Sequence, residues 1–181
     1  VILDVTRGAG LRAKELDELT CAEDTGIRYL NLANIVDGSI DDELPFLKDL
    51  DAKLEKYCLE TGDLLLSKNG APYKVAVAEV PEGQRILANG NLYTIKLDTA
   101  KVDPYYVAAF LSSPKGKESL ARASKGTVIP NLPLSELRAI KIPLESAEKQ
   151  AQIAAAYRAK LDEIGILKLR LARARQGLVD L

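Results

Sequence analysis

The stretch Glu145–Leu181 limits what this chain can fold into more than any other. Pro143 stops whatever precedes it. Ser146 is placed to cap a helix, and Glu148 falls in its first turn, where a carboxylate suits the positive end of the helix dipole. No proline interrupts the residues that follow. At about 1.5 Å per residue the helix is roughly 50 Å long, more than a domain of this size needs for its own core. Tyr157, Ile164, Leu171 and Leu178 recur at heptad spacing. Leu167, Ala174 and Leu181 form a flanking row, and Leu161 extends the seam toward its start. That spacing predicts a coiled-coil-like seam that pairs with another helix; folding back onto its own domain is the plainer alternative. Lys168 and Arg175 interrupt the seam. Gly165 and Gly177 each cost about 1 kcal/mol relative to alanine in a helix interior, so a bend or fraying is expected there.

Ahead of this rod lies enough chain for one core-bearing domain: the protein has 181 residues, 47% of them hydrophobic. The expected division is residues 1–144 as a recognition domain and residues 145–181 as a long helical appendage. There is no apolar run of about 18 residues and no signal-peptide pattern, which predicts no membrane span and a cytoplasmic protein. Cys21 and Cys58 stand far apart and there is no histidine. Neither a zinc site nor a disulfide framework is expected, and no metal or cofactor is called for. The lack of an initiator Met suggests a mature form, an excised piece or a fragment of a longer chain.

The net charge of −1 argues against a simple basic nucleic-acid binder, but the charges are unevenly spread. Residues 1–63 carry 7 basic and 15 acidic side chains, whereas residues 112–181 carry 13 basic and 7 acidic ones. A basic face opposite an acidic one follows, and phosphates are attracted to the former.

Along the chain, Leu11–Leu19 reads as a short helix or an irregular lead-in. Ile27–Leu32 alternates as a strand, and Asp37-Gly38 signals a turn. Asp49–Tyr57 is helical or looped. Glu60-Thr61-Gly62-Asp63 turns into the apolar strand Leu64-Leu65-Leu66, which ends at Ser67-Lys68-Asn69-Gly70. Tyr73–Val80, Arg85–Ala88 and Leu92–Leu97 are further strands, the last two separated by the tight-turn sequence Asn89-Gly90-Asn91. Asp103-Pro104 opens a short helix and Pro114 a second. Leu134–Leu137 looks like a helical turn, and Arg138–Ile142 like a strand returning to the sheet. Strands, short helices, one returning strand and a long helix make an α+β fold, β-rich in its recognition domain.

Few segments suggest chemistry. Asp103-Pro104-Tyr105-Tyr106 superficially resembles the Asp-Pro-Pro-Tyr motif of amino-methyltransferases, but the second proline and a glycine-rich cofactor loop are missing, and helix capping accounts for it fully. Without histidine, acid–base work would fall to carboxylates, lysine or tyrosine, and no cluster has catalytic spacing, so no catalytic residue is assigned. Cys58 reads as core rather than nucleophile. The loop Ser67–Gly70, read with Tyr73 and Lys74, offers a donor-rich tip. Lys68 suits phosphate, Asn69 an adenine edge, and Tyr73 stacking or phosphate; a bare turn is the alternative. Lys115, Lys117, Arg122 and Lys125, then Thr127 and Asn131, make a basic and polar run that is either a solvated surface or a phosphate-positioning one.

Taken in order, these pieces resemble the DNA specificity (S) subunit of type I restriction-modification systems, from about Gly26 to the end. The residues that carry the resemblance are Gly62–Gly70, Asp103-Pro104-Tyr105-Tyr106-Val107 with Leu111-Ser112-Ser113, Gly126-Thr127 through Asn131-Leu132, and Leu137–Leu144 leading to Gln150, Ile153 and Ala154. The resemblance implies a target recognition domain followed by a spacer helix. In a full subunit two such units pair their helices antiparallel, each domain reads one half of a split DNA site, and the helices bind modification (methyltransferase) subunits. By this resemblance the chain looks like one unit, either a half-subunit that dimerises or a fragment of a longer subunit. Two positions depart from the family pattern: Glu145 stands where a second proline is usual, and Lys149 where a second glutamate is usual.

The expected function is sequence-specific recognition of double-stranded DNA without catalysis, with loops of the β-rich domain in the major groove. Lys68, Asn69, Tyr73, Lys74, Asn91, Lys125, Thr127 and Asn131 are the expected contacts. Tyr157, Leu161, Ile164, Leu167, Leu171, Ala174 and Leu178 are the expected helix-pairing residues of a homodimer. Adenine methylation and cleavage would belong to the modification and restriction/translocase subunits of the full complex. The rival is a protein-interaction or anti-restriction module that keeps the spacer helix without reading DNA, a reading that the acidic N-terminal third favours.

Overall fold

The run Leu64-Leu65-Leu66 is buried on both of its faces, and the architecture is built around it. In the computed structural model, which describes residues 1–179, Leu64 and Leu66 face one core and Leu65 another. A strand covered on both sides needs a continuous apolar run rather than alternation.

The elements in order are β1 (Ile2–Arg7), α1 (Ala13–Leu19), β2 (Thr20–Cys21), β3 (Ile27–Leu30), β4 (Ile35–Val36), β5 (Ser39–Ile40), β6 (Phe46–Leu47), β7 (Leu64–Ser67), β8 (Val75–Val77), β9 (Arg85–Ala88), β10 (Leu92–Leu97), α2 (Pro104–Ser112), α3 (Pro114–Ala123), α4 (Leu134–Ala139) and α5 (Ala147–Val179). One antiparallel sheet has the order β1-β10-β7-β8. The other has the order β2-β6-β3-β9, with β3 and β9 parallel. The β4–β5 hairpin turns at Asp37 and Gly38, both at positive φ (52° and 83°), the geometry of a two-residue hairpin loop.

Three apolar clusters separate the layers. The largest joins one face of the first sheet (Leu64, Leu66, Val75, Tyr93, Ile95) to α2, α3, Leu137 of α4 and Ala154 of α5. The second lies between the two sheets and includes Leu65, Ala76 and Leu92 from the first with Leu30, Ile86 and Ala88 from the second. The third holds Ile27, Tyr29, Leu47 and Leu87 under Leu16 and Leu19 of α1. The α+β architecture thus matches the expectation from sequence.

Several local expectations also meet their structures. The Asp103 carboxylate accepts from the Tyr105 N–H at 2.7 Å with Pro104 at the first helical position, so the Asp-Pro-Tyr-Tyr segment is a capped helix start. The Lys149 N–H donates to Ser146 Oγ at 3.3 Å, and Glu145 and Lys149, the two departures from the family pattern, pair with each other at 3.2 Å. Asn89-Gly90-Asn91 does form a tight turn, closed by the Leu92 N–H on Asn89 O at 3.0 Å, but it carries the chain from one sheet to the other.

The structure corrects two readings. Arg138–Ile142 is not a strand: Arg138 and Ala139 complete α4, and the extended segment after them has no ladder partner among the described residues. Ile140 and Ile142 pack against the largest apolar cluster, and the carbonyl of Pro143 accepts from the Tyr106 hydroxyl at 2.7 Å, so the alternation buries apolar side chains without strand pairing. The helix α5 also continues through Gly165 and Gly177, so it does not fray at either glycine.

Candidate nucleic-acid interface

The loop between β7 and β8 and the loop between α3 and α4 are sewn into one surface by their backbones. Lys125 and Asn131 exchange both of their N–H···O bonds at 2.8 Å, closing a short excursion of the chain. The Leu132 N–H donates to Lys68 O at 2.9 Å, and the Gly70 N–H donates to Pro130 O at 2.9 Å. On the other side, the Lys68 N–H donates to Asn91 O at 2.8 Å, bringing in the 89–91 turn. Gly70 and Gly126 take φ of 96° and 90°, which side-chain-bearing residues rarely adopt, so the two loops can turn this sharply.

Side chains lock the arrangement. The Ser124 hydroxyl donates to Leu120 O at 2.7 Å, which leaves its oxygen to accept from the Tyr73 hydroxyl at 2.7 Å. The buried Tyr93 hydroxyl donates to Leu132 O at 2.8 Å. Burial pushes the Tyr93 phenol above its ordinary value, with the charge of Arg7 opposing, so it stays a donor.

Of the expected contacts, Lys68, Asn69, Asn91, Lys125, Thr127 and Asn131 are therefore gathered on this surface. Tyr73 joins it, with its hydroxyl spent on Ser124. Lys74 does not: its amine donates to Leu32 O at 3.0 Å. Lys125 is 3.3 Å from Glu136, both exposed, a pair that phosphate could replace.

Arg7 and the pair Val128–Ile129 also belong here, and reasoning from sequence passed over them. The Arg7 Nε donates to Gly90 O at 2.6 Å, which brings a guanidinium beside the 89–91 turn. Its register opposite Tyr93 depends on a β1–β10 pairing between segments more than eighty residues apart, which no local pattern reveals. Val128 and Ile129 stand at the loop tip with 91% and 69% of their surface exposed. Their setting between Gly126 and Pro130 was the available signal: a β-branched pair in so short a bracket has no room to form a strand.

The long helix divides into two parts. Ile153, Ala154, Tyr157 and Leu161 pack onto the first core, and the Tyr157 hydroxyl lies within hydrogen-bond reach of Ser112 Oγ at 3.2 Å. Lys168 pairs with Asp37 at 3.0 Å, and the Arg158 guanidinium sits 3.9 Å from the centre of the Tyr105 ring. Tyr105 also donates to Glu79; burial and that carboxylate push its phenol well above the ordinary range. Beyond these contacts Leu167, Leu171, Ala174 and Leu178 are exposed, while Ile164 is half-buried; Leu181 of the same row lies outside the described residues.

A family model described as the type I restriction modification DNA specificity domain matches residues 21–171. A putative type I restriction enzyme MjaX specificity subunit from Methanocaldococcus jannaschii is 30% identical over 158 residues, covering 84% of this chain and 36% of that protein. The fold is shared with the S subunit of a type I restriction-modification system from M. genitalium, at TM-score 0.66 and 17% identity, over 97% of this chain and 41% of that one. A chain from a study of complex assembly and conformational transition of the type I R-M system superposes at TM-score 0.63 and 17% identity, over 94% and 39% of the two chains. The present chain thus spans only about two fifths of the length of these relatives or less.

Proposed function

This chain belongs to the family of type I restriction-modification DNA specificity domains, and on that premise we propose that it reads one half of a split double-stranded DNA site. Residues 1–144 are the reader and residues 145–181 the spacer. The observation that carries the reading is the backbone-sewn surface that gathers Lys68, Asn69, Asn91, Lys125, Thr127 and Asn131 from three separate segments. Cations there hold phosphates, and the asparagine amides are suited to bidentate bonding with adenine edges in the major groove.

The chain is a recognition component. Methyl transfer is the task of modification subunits that dock on the helix, and cleavage that of a restriction/translocase subunit, all in the cytoplasm with their DNA. The exposed row Leu167, Leu171, Ala174 and Leu178 pairs with a second spacer helix, that of a second copy in a homodimer. The inner residues Tyr157 and Leu161 pack on the recognition domain, and with Ile164 they meet the partner's helix end. Two readers held at the ends of rods roughly 50 Å long, as about 1.5 Å per helical residue gives, enforce a fixed gap between half-sites.

The test is selection from a randomised duplex library by the chain assembled with its modification subunits. A split motif with a constant gap is expected, bound with an affinity that falls steeply with salt. Recovery of no motif, together with salt-independent retention of the subunits, would sink DNA reading and leave the protein-interaction or anti-restriction module.

A further inference from the structure

We propose that Val128 and Ile129 form an apolar reading head that contacts the C5-methyl group of thymine in the major groove, an inference that rests on the DNA-reading function above. Scattered surface aliphatics are ordinary, so exposure alone decides nothing. What sets these two apart is how they are held. The excursion from Lys125 to Asn131 is closed by a reciprocal pair of backbone bonds and pinned again through Pro130 O to the Gly70 N–H. Pro130 also biases Ile129 toward an extended backbone. Both side chains are β-branched and stiff at χ1. The base of the tip is thus closed before any partner arrives.

Its surroundings narrow the partner. Arg7, Lys68 and Lys125 with Asn69, Asn91 and Asn131 lie around the base of the loop. Phosphates answer the cations and base edges answer the amides. The feature of a base pair that answers an aliphatic side chain in the major groove is the thymine methyl. A protein partner fits less well, because two side chains supply only a small part of the roughly 800 Å² that each side of a stable protein interface buries. Insertion between base steps is the remaining apolar mode, and it does not depend on the methyl group.

The experiment uses the chain assembled with its modification subunits and the duplex found by selection. Each thymine is replaced in turn by uracil, which removes only the methyl group, and affinity is measured by competition. Wild type should lose about threefold to tenfold at one or two positions in each half-site, the scale of one methyl contact. The double variant Val128→Ser with Ile129→Ser should lose a similar factor on the thymine duplex and become indifferent to uracil. The tip is exposed, so the variant should unfold at the wild-type temperature; a lowered midpoint would overturn the assignment by showing that the tip packs. Indifference of wild type to uracil at every position would overturn it while leaving DNA reading intact. So would a variant whose sensitivity to uracil equals that of wild type. Absence of any sequence-specific binding by wild type would overturn both.

Discussion

The Gln150 side chain accepts a hydrogen bond from the Asp103 N–H at 3.1 Å and so ties the first turns of the long helix to the residue that caps α2. Its amide also donates to Glu145 O at 2.9 Å and Lys101 O at 3.3 Å, and the residue is 5% exposed. One buried amide thus sets the angle at which the rod leaves the domain. Replacing it removes the partner of three half-buried backbone groups. Gln150→Ala should cost about 1–3 kcal/mol, the desolvation of unsatisfied buried groups. Urea unfolding measures it, and a loss under a few tenths would show that water takes over the bonds.

Gly116 in α3 and Gly165 in α5 should respond to alanine in opposite directions. A Cβ at Gly116 would run into Phe110 O and lie 2.6 Å from Leu111 Cα, both backbone and therefore unable to swing aside. Gly116→Ala should destabilise by about 1–3 kcal/mol or more, the range for overpacking a tight contact. At Gly165 a Cβ would meet nothing within 4 Å, and the helix is continuous there. Gly165→Ala should stabilise by about 0.5–1 kcal/mol through helix propensity alone. Thermal unfolding of the two variants beside wild type checks both signs.

Much of this was legible because its causes are local. Asp103-Pro104 and Ser113-Pro114 specify helix starts by their own chemistry, and both caps form, with Ser113 Oγ accepting from the Gly116 N–H at 3.2 Å. What could not be read depends on pairing across the chain. The parallel match of β3 with β9 joins residues nearly sixty apart, and it sends the 89–91 turn between sheets rather than round a hairpin. The same holds at the site. Lys68 and Asn69 announce a polar loop, but that it meets Asn131 and Lys125 follows from bonds between distant segments. Lys74, at the far end of the same loop, is turned to Leu32 by the same packing. The heptad row shows that α5 has an apolar stripe; that Tyr157 and Leu161 spend their part of it on the domain depends on where α2 lies.

Asp63 should leave a pH signature. Its carboxylate is buried, accepts from the Glu60 N–H at 2.8 Å and lies 3.4 Å from Lys96 Nζ. Burial dominates and raises its proton affinity above that of an ordinary aspartate, with the Glu60 N–H and Lys96 opposing. The folded chain then binds a proton over an interval where the unfolded chain has lost it. Linkage makes this contribution to stability full below the unfolded value, and lost as pH rises through the folded one. Asp63→Asn has no such proton. The stability of wild type minus that of Asp63→Asn should therefore decline as pH rises from the ordinary aspartate range through the interval just above it. Urea titrations at a series of pH values measure this difference. A difference that grows with pH would mean that attraction to Lys96 outweighs burial.

Three lysines that look equivalent in sequence should separate by their salt dependence. Among the described residues Lys68 enters no salt bridge and lies on the sewn surface; Lys125 lies there too but faces Glu136 at 3.3 Å; Lys74 is bonded to Leu32 O. A phosphate contact releases counterions, so removing it flattens the slope of log affinity against log salt by about one. Lys68→Ala should do this and weaken all sequences alike. Lys125→Ala should do less, because its charge is already partly answered in the free chain. Lys74→Ala should leave the slope unchanged and lower stability instead, through the loss of the Leu32 bond. Asn69→Ala, by contrast, should keep the slope and narrow the gap between target and scrambled duplex. Binding isotherms over a range of potassium chloride, on target and scrambled DNA, distinguish these outcomes. Equal slopes for Lys68→Ala and wild type would move the phosphate path off this surface.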